Sequence, residues 1–215
     1  MPKIPDPPKL DRRQLRTKQL LQQALLALIE TKGLDSITVT DVANHANVNR
    51  GTFYLHYKDV ADLLEQMQEE VFQRIQSVVF RLDPIELSGY ANKDEPYPKI
   101  IAIFEEVLRH ADFFKVMLGP RGDISCILRF RELMTTHIFN KFNHLIPHDD
   151  KLLVPREYLI AYMSSANFGM FLHWVATGMQ ETPYEMARIA TQIVNHGPIV
   201  SAGIRGKGAA AKHGK

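Results

Sequence analysis

Between Asn49 and Lys58 the chain reads NRGTFYLHYK, and its polar side chains are of one kind. Arg50, Thr52, Tyr54, His56 and Lys58 can all donate hydrogen bonds, and no acid occurs between Asp41 and Asp59. The exposed face of a soluble helix usually mixes Glu with Lys, so an acid-free donor set suits a polyanion. Each residue type has a use at a nucleic-acid duplex. Arg50 can reach guanine O6 and N7 with two donors, and Thr52 can touch a base edge or a thymine methyl. Tyr54, His56 and Lys58 suit phosphate oxygens, which fix register without reading sequence. Gly51 lets the backbone approach closely, and a helix N-terminus offers free amides to a phosphate. Taken singly, Arg50 and Lys58 are ordinary surface charges, and His56 could be a core histidine. The argument rests on the set.

These side chains need elements to hold them. Leu21, Leu25, Leu28 and Ile29 gather on one side of a first helix, with Ala24 between them. Gly33 stops that helix, and Leu34 beyond it suits a Schellman ending. Thr38 followed by Asp41 resembles a capping box, with Asp in place of the usual Glu or Gln. The short helix it opens turns Val42, Ala43 and Ala46 inward. Asn47 tolerates the left-handed conformation that the next turn needs. Asn49 can then cap a second short helix with Phe53 and Tyr57 inward, and Asp59 a longer third. Two short helices joined by a tight turn and packed on a first describe a helix-turn-helix.

Charge is distributed unevenly. Residues 1–60 carry nine Lys/Arg against six Asp/Glu, whereas residues 61–196 carry thirteen against eighteen. The polyanion-compatible part is therefore the N-terminal quarter. The single cysteine, Cys126, allows no intrachain disulfide or cysteine-held metal and fits a reducing cytosol. His110, His137, His144 and His148 with Asp149 and Asp150 have no ligand spacing with a mechanism behind it. They read as solvated positions. There is no P-loop, nucleophile elbow or dinucleotide fingerprint, so the expectation is no enzyme, no metal and no cofactor.

The run from Arg13 to Lys58, ending TVTDVANHANVNRGTFYLHYK, resembles the N-terminal domain of the TetR family of repressors. It shares the T-x-x-D-V-A opening, the A-x-V turn and the G-T-F-Y-x-H-Y reading helix. The resemblance implies an all-α fold of about nine helices, a three-helix DNA-binding domain at 12–58 and a helical effector-binding and dimerisation domain at 59–196. Residues 1–11 are expected to be a flexible arm and 197–215 a disordered basic tail. It also implies a cytoplasmic homodimer on a palindromic double-stranded operator, repressing transcription under a small-molecule effector. Thr38, Thr40, Arg50, Gly51, Thr52, Tyr54, His56 and Lys58 become the DNA-contacting candidates. The chain departs from the family pattern at three places. Asn47 replaces the turn glycine, Thr40 stands where a base-reading arginine is common, and Val60 replaces a phosphate-binding lysine. More loosely, FFKVMLGPRGDISC and FLHWVATGMQETPYEMA resemble a Firmicute-type C-terminal region, some of whose members sit near dihydroxyacetone-kinase genes.

Beyond the reading head the pattern stays helical. Ile100, Ile103, Phe104, Val107 and Leu108 form one stripe, and a helix over roughly 124–142 carries Ile127, Phe130, Leu133, Met134, Ile138 and Phe142. Phe104, Phe114, Met117, Phe130, Met134, Phe168, Phe171 and Trp174 are candidates to line an effector pocket, although aromatics and Met at this spacing are more often core. Residues 158–176 hold no charge over nineteen positions, long enough to span a membrane. Ser164, Ser165, Asn167 and His173 argue instead for a buried helix, and Ala161, Ser165 and Gly169 make a flat stripe for a partner subunit. A helical adaptor acting through a protein partner is the alternative reading.

Overall fold

The computed structural model describes residues 12–90, 93, 95–145 and 148–202. Among these there are ten α-helices, two short 3-10 turns and no strand. The helices are α1 (Arg12–Lys32), α2 (Val39–His45), α3 (Arg50–Tyr54), α4 (Val60–Val79) and α5 (Pro84–Ser88). They continue as α6 (Pro98–Arg109), α7 (Ala111–Met117), α8 (Ile124–Leu145), α9 (Arg156–Ala176) and α10 (Pro183–Ser201). The helix beyond the expected nine is α5. One and a half turns are too few to show a period, so Asp83-Pro84 reads as a break. In fact Asp83 Oδ1 accepts from the amides of Ile85 and Glu86, and Pro84 sits at the position that needs no donor.

The chain divides into two compact units. The first runs to Glu70 and takes in Val116–Ile124; the second comprises Val71–Lys115 and Ser125 onward. The first contains α1, α2, α3 and the start of α4. Its core is the inward face the sequence marks: Leu21, Leu25, Ile29, Val42, Phe53, Tyr57 and Leu63 are all buried. Each apolar side chain removed from water contributes about 1.5–3 kcal/mol before the entropy of ordering the chain is counted. Arg121 reaches the C-terminal end of α1, where its guanidinium donates to the carbonyls of Glu30 and Thr31. Those carbonyls have no partner within the helix.

Helix endings follow from backbone torsions. Gly33 stops α1 at φ 79°, yet its ψ of 154° carries the chain away from the left-handed helix. The Schellman ending expected there is found instead at α2. Asn47 has φ 54°, Val48 N–H donates to Ala43 O at 2.9 Å, and Asn47 N–H donates to Asn44 O at 3.1 Å. That pair of bonds defines the motif, with asparagine in the place of glycine. The same device closes α9 at Gly178 (φ 84°), where Met179 N–H donates to Trp174 O at 2.8 Å.

In the second unit α10 packs along α6, and the Tyr97 amide donates to the buried Thr191 hydroxyl at 3.1 Å. Phe72, Phe113, Phe114, Phe130, Phe168 and Phe171 form one aromatic cluster, with Phe130 and Phe171 centroids 4.9 Å apart. The α6 stripe differs from expectation at one end. Leu108 is exposed, and the buried position is Glu106, whose carboxylate pairs with Arg109 and lies 3.2 Å from His110 Nε2. Within the single chain α9 is covered on one side: Ile160, Ser164, Phe171, Trp174 and Val175 are buried, while Ala161, Ser165 and Gly169, the stripe expected to face a partner subunit, are exposed. No helix among the described residues is long and apolar enough to cross a membrane. The last helix breaks at Gly197 (φ 72°), close to the expected end, but Pro198–Ser201 add a further helical turn where tail was expected. Residues 1–11 and 203–215 of the expected arm and tail lie outside the described residues.

The turn yields a prediction. Replacing Asn47 by Val, whose β-branch opposes positive φ, costs about 1–2 kcal/mol in chemical denaturation, whereas Asn47→Gly costs little. A tolerated valine would contradict the left-handed turn.

Candidate nucleic-acid interface

The first short helix is held by its own first turn. Asp41 N–H donates to Thr38 Oγ1 at 3.2 Å, and Asp41 Oδ2 accepts from Thr38 N–H at 3.0 Å and from the Thr38 hydroxyl at 2.6 Å. Lys32 Nζ lies 2.7 Å from Asp41 Oδ1, tying the end of α1 to the start of α2. Hydrogen bonds from Lys32 and Thr38 hold the Asp41 carboxyl well below the usual carboxylate range. One consequence bears on DNA contact: the Thr38 hydroxyl proton is already given to Asp41. Thr40 is exposed within that same first turn.

The second short helix is capped in the same manner. Asn49 Oδ1 accepts from Thr52 N–H at 2.7 Å and from the Thr52 hydroxyl at 2.9 Å. Thr52 therefore presents its methyl and its oxygen lone pairs, not its proton. A Cβ on Gly51 would stand 3.3 Å from that same Asn49 Oδ1, so glycine leaves the cap unhindered as well as keeping bulk away from a duplex. Phe53 and Tyr57 point into the core, and their burial turns Arg50, Gly51 and Tyr54 outward. His56 is half-buried beside Tyr57, with ring centroids 6.2 Å apart. Lys58 donates its backbone N–H to Asp62 Oδ2 at 2.8 Å, which leaves its exposed ammonium to reach outward. Asp59 Oδ1 caps α4 by accepting from Asp62 N–H at 2.8 Å. The structure thus places Thr40, Arg50, Gly51, Thr52 and Tyr54 on two consecutive short helices of one unit, with Thr38 capping the first and His56 and Lys58 in the segment that follows the second. It adds a residue sequence reasoning passed over: Leu55 is 83% exposed at the end of α3, an apolar group on an otherwise polar face.

The second unit contains a cavity of about 320 Å³. Phe104, Phe130, Met134, Phe168 and Phe171 line it, whereas Phe114, Met117 and Trp174 do not. The last three are buried in packed core; Phe114 lies against Phe130 and Phe171, and Trp174 crosses Phe104 edge-on and donates its indole N–H to Glu181 O at 3.0 Å. Met117 belongs to the first unit. His137, which the sequence reads as solvated, is instead buried in the cavity wall beside Phe80. Helical spacing identifies the inward face of α8. It gives no sign of which inward positions meet a cavity and which meet a neighbour. Asp149, by contrast, is exposed and pairs with Arg156 at 2.7 Å. No cluster of metal-ligating side chains occurs among the described residues.

Two family models match the chain in the regions just described. Residues 21–67 match the bacterial regulatory proteins of the tetR family, and residues 94–196 match a transcriptional regulator C-terminal region. The chain belongs to the TetR family of transcriptional regulators. Among curated proteins it is 23% identical over 180 residues to the HTH-type transcriptional regulator YxbF of Bacillus subtilis. That alignment covers 81% of this chain but 44% of the relative, so the chain spans less than half the relative's length. A TetR-family transcriptional regulator of Syntrophomonas wolfei has the same fold, with TM-score 0.58, 16% identity and coverage of 89% of this chain and 97% of that one. The dihydroxyacetone kinase operon activator DhaS is similar at TM-score 0.51 and 16% identity, covering 87% of this chain and 96% of its own.

Two measurements check this geometry. Thr38→Ala removes the α2 cap and costs about 0.5–2 kcal/mol in chemical denaturation. Because the Asp41 pKa is depressed on folding, its contribution is present at neutral pH and is lost as pH falls through the folded value. The thermal midpoint of the parent protein therefore falls more steeply into acid than that of Asp41→Asn. Equal slopes would show that the carboxylate carries no such role.

Proposed function

We propose that this TetR-family chain is a sequence-specific DNA-binding repressor, acting as a homodimer on a palindromic operator and released by a small-molecule effector. The observation that carries the reading is the exposed face of α3 and the segment after it, where Arg50, Tyr54 and Lys58 stand outward with no acid among them. Arg50 and the Thr52 methyl read bases, and Tyr54, His56 and Lys58 hold phosphates. Thr38, its proton committed to Asp41, contributes as the cap that positions Thr40 and α2. Leu55 is suited to apolar contact with the sugar edge or a thymine methyl.

Dimerisation is supported by α9. Ala161, Ser165 and Gly169 lie at i, i+4 and i+8 on its exposed side, a strip flanked by the exposed rings of Tyr158 and Tyr162. Small residues let a partner helix approach closely, and a two-fold axis would bring the same strip of a second copy onto it. The effector is assigned to the cavity of the second unit. It controls DNA affinity if it binds the operator-competent and released geometries unequally.

Selection from a random duplex pool tests the reading. The protein should enrich a palindromic consensus; enrichment of none sinks the repressor and favours an adaptor that kept the fold. On the selected duplex, Arg50→Ala relaxes preference at one base position by about 1–3 kcal/mol. Lys58→Ala weakens all sequences alike and lowers the salt slope by about 1. A Cβ on Gly169 meets nothing within 4 Å, so Gly169→Trp should leave the monomer folded and abolish the dimer seen by light scattering. A dimer that survives this change places the interface elsewhere.

A further inference from the structure

The cavity walls are mostly apolar, with Ile100, Ile103, Phe104, Met163, Phe168 and Met170 among them. Six polar side chains also reach the walls: Asp83, Tyr97, His137, Lys141, Asn167 and Asn195. Four of the six are engaged in holding the fold. Asp83 Oδ1 caps α5, and two backbone amides offset its charge. The Tyr97 hydroxyl accepts from Asp83 N–H at 3.3 Å and donates to Glu86 Oε2 at 2.7 Å. Asn167 Nδ2 donates to Met163 O at 2.8 Å, and Asn195 Nδ2 donates to Leu87 O at 3.3 Å.

The other two are not accounted for. His137 is 5% exposed, and its Nε2 is fully buried with no hydrogen-bond partner. Buried polar atoms in native proteins almost always have partners, and an exception asks for a missing one. Lys141 stands four residues on, on the same face of α8, and has no ion-pair partner among the described residues. Burial, and secondarily the Lys141 charge, lower the His137 pKa, so the ring is neutral at neutral pH and the cation of the pair is Lys141. A neutral donor and a cation one helical turn apart in an apolar wall match a carboxylate. Its negative charge would meet the ammonium, and one oxygen would accept from the imidazole in its Nε2–H form.

We propose that this cavity takes an amphiphilic monocarboxylic acid, its apolar body among the Phe, Ile and Met side chains and its carboxylate held by His137 Nε2 and Lys141 Nζ. A volume of about 320 Å³ lies at the small end of ligand sites, which favours a medium-length chain over a large ring system. The acid's role as effector rests on the repressor reading above; its binding does not.

Calorimetry on the full chain tests the head group with three probes of one tail length: decanoate, decan-1-ol and decyltrimethylammonium. Decanoate should bind at least tenfold tighter than the alcohol, and the cation should not compete. Lys141→Met and His137→Phe should each weaken decanoate tenfold or more, with Lys141→Met narrowing the gap between acid and alcohol and Lys141→Arg restoring it. Absence of decanoate binding, equal affinity for acid and alcohol, or an unchanged Lys141→Met would overturn the proposal. Anisotropy on the selected duplex separates the two readings. Decanoate should shift operator affinity fivefold or more in the parent and not in Lys141→Met. Operator binding without any decanoate effect overturns the acid as effector and leaves the repressor standing. Failure to select any duplex removes the repressor, and calorimetry alone then decides the head-group assignment.

Discussion

The direction in which α3 leaves α2 depends on a single left-handed residue, and the reading head is arranged around it. With Asn47 at φ 54°, the chain reverses in a few residues and the last carbonyls of α2 are satisfied by the turn itself. Val48 and Asn49 then start α3 with Phe53 aimed at the same core as Val42. Any other exit would leave those carbonyls unpaired or turn Phe53 outward, and an unsatisfied group or an exposed ring each costs a noticeable part of a small domain's stability. The outward position of Arg50 and Tyr54 is thus a consequence of backbone geometry and burial.

The two caps on either side of the turn determine what the head has left to offer. Thr38 and Thr52 both look like donors in the sequence, and both give their hydroxyl protons to acids or amides of their own turn. What remains outward is the guanidinium of Arg50, the ammonium of Lys58, the Tyr54 and Thr40 side chains, part of His56 and two apolar surfaces, the Thr52 methyl and Leu55. Such a face reads few bases directly and depends on the backbone for affinity. The body shows the reverse economy of polar groups. Four of the six polar side chains around its cavity are spent on hydrogen bonds that hold the fold, so the buried, unpartnered Nε2 of His137 stands out.

Much of the head was legible in the sequence because its signals are local. A capping pair three residues apart, an asparagine at a turn and an i, i+4 apolar face each report on a few neighbouring residues. Even so, Gly33-Leu34 suggests a Schellman ending that occurs instead at Asn47, because residue type does not fix ψ. The body was legible only as helices. Whether Phe104 borders a cavity and Trp174 packs solid depends on how far neighbouring helices stand from α6 and α9, which no single-helix pattern encodes. His137 read as solvated for the same reason: its burial comes from residues distant in the chain.

Hydroxyl-radical footprinting of the selected duplex puts α3 and the two-fold axis to the test. Two copies of the head about a two-fold axis should protect two backbone patches on one face of the DNA, about 34–36 Å apart or a multiple of that spacing. Protection should vanish from both patches together in Arg50→Ala titrated at the same concentration. A single patch, or protection unchanged by loss of Arg50, would contradict the assignment of α3 as the reading helix of a symmetric dimer.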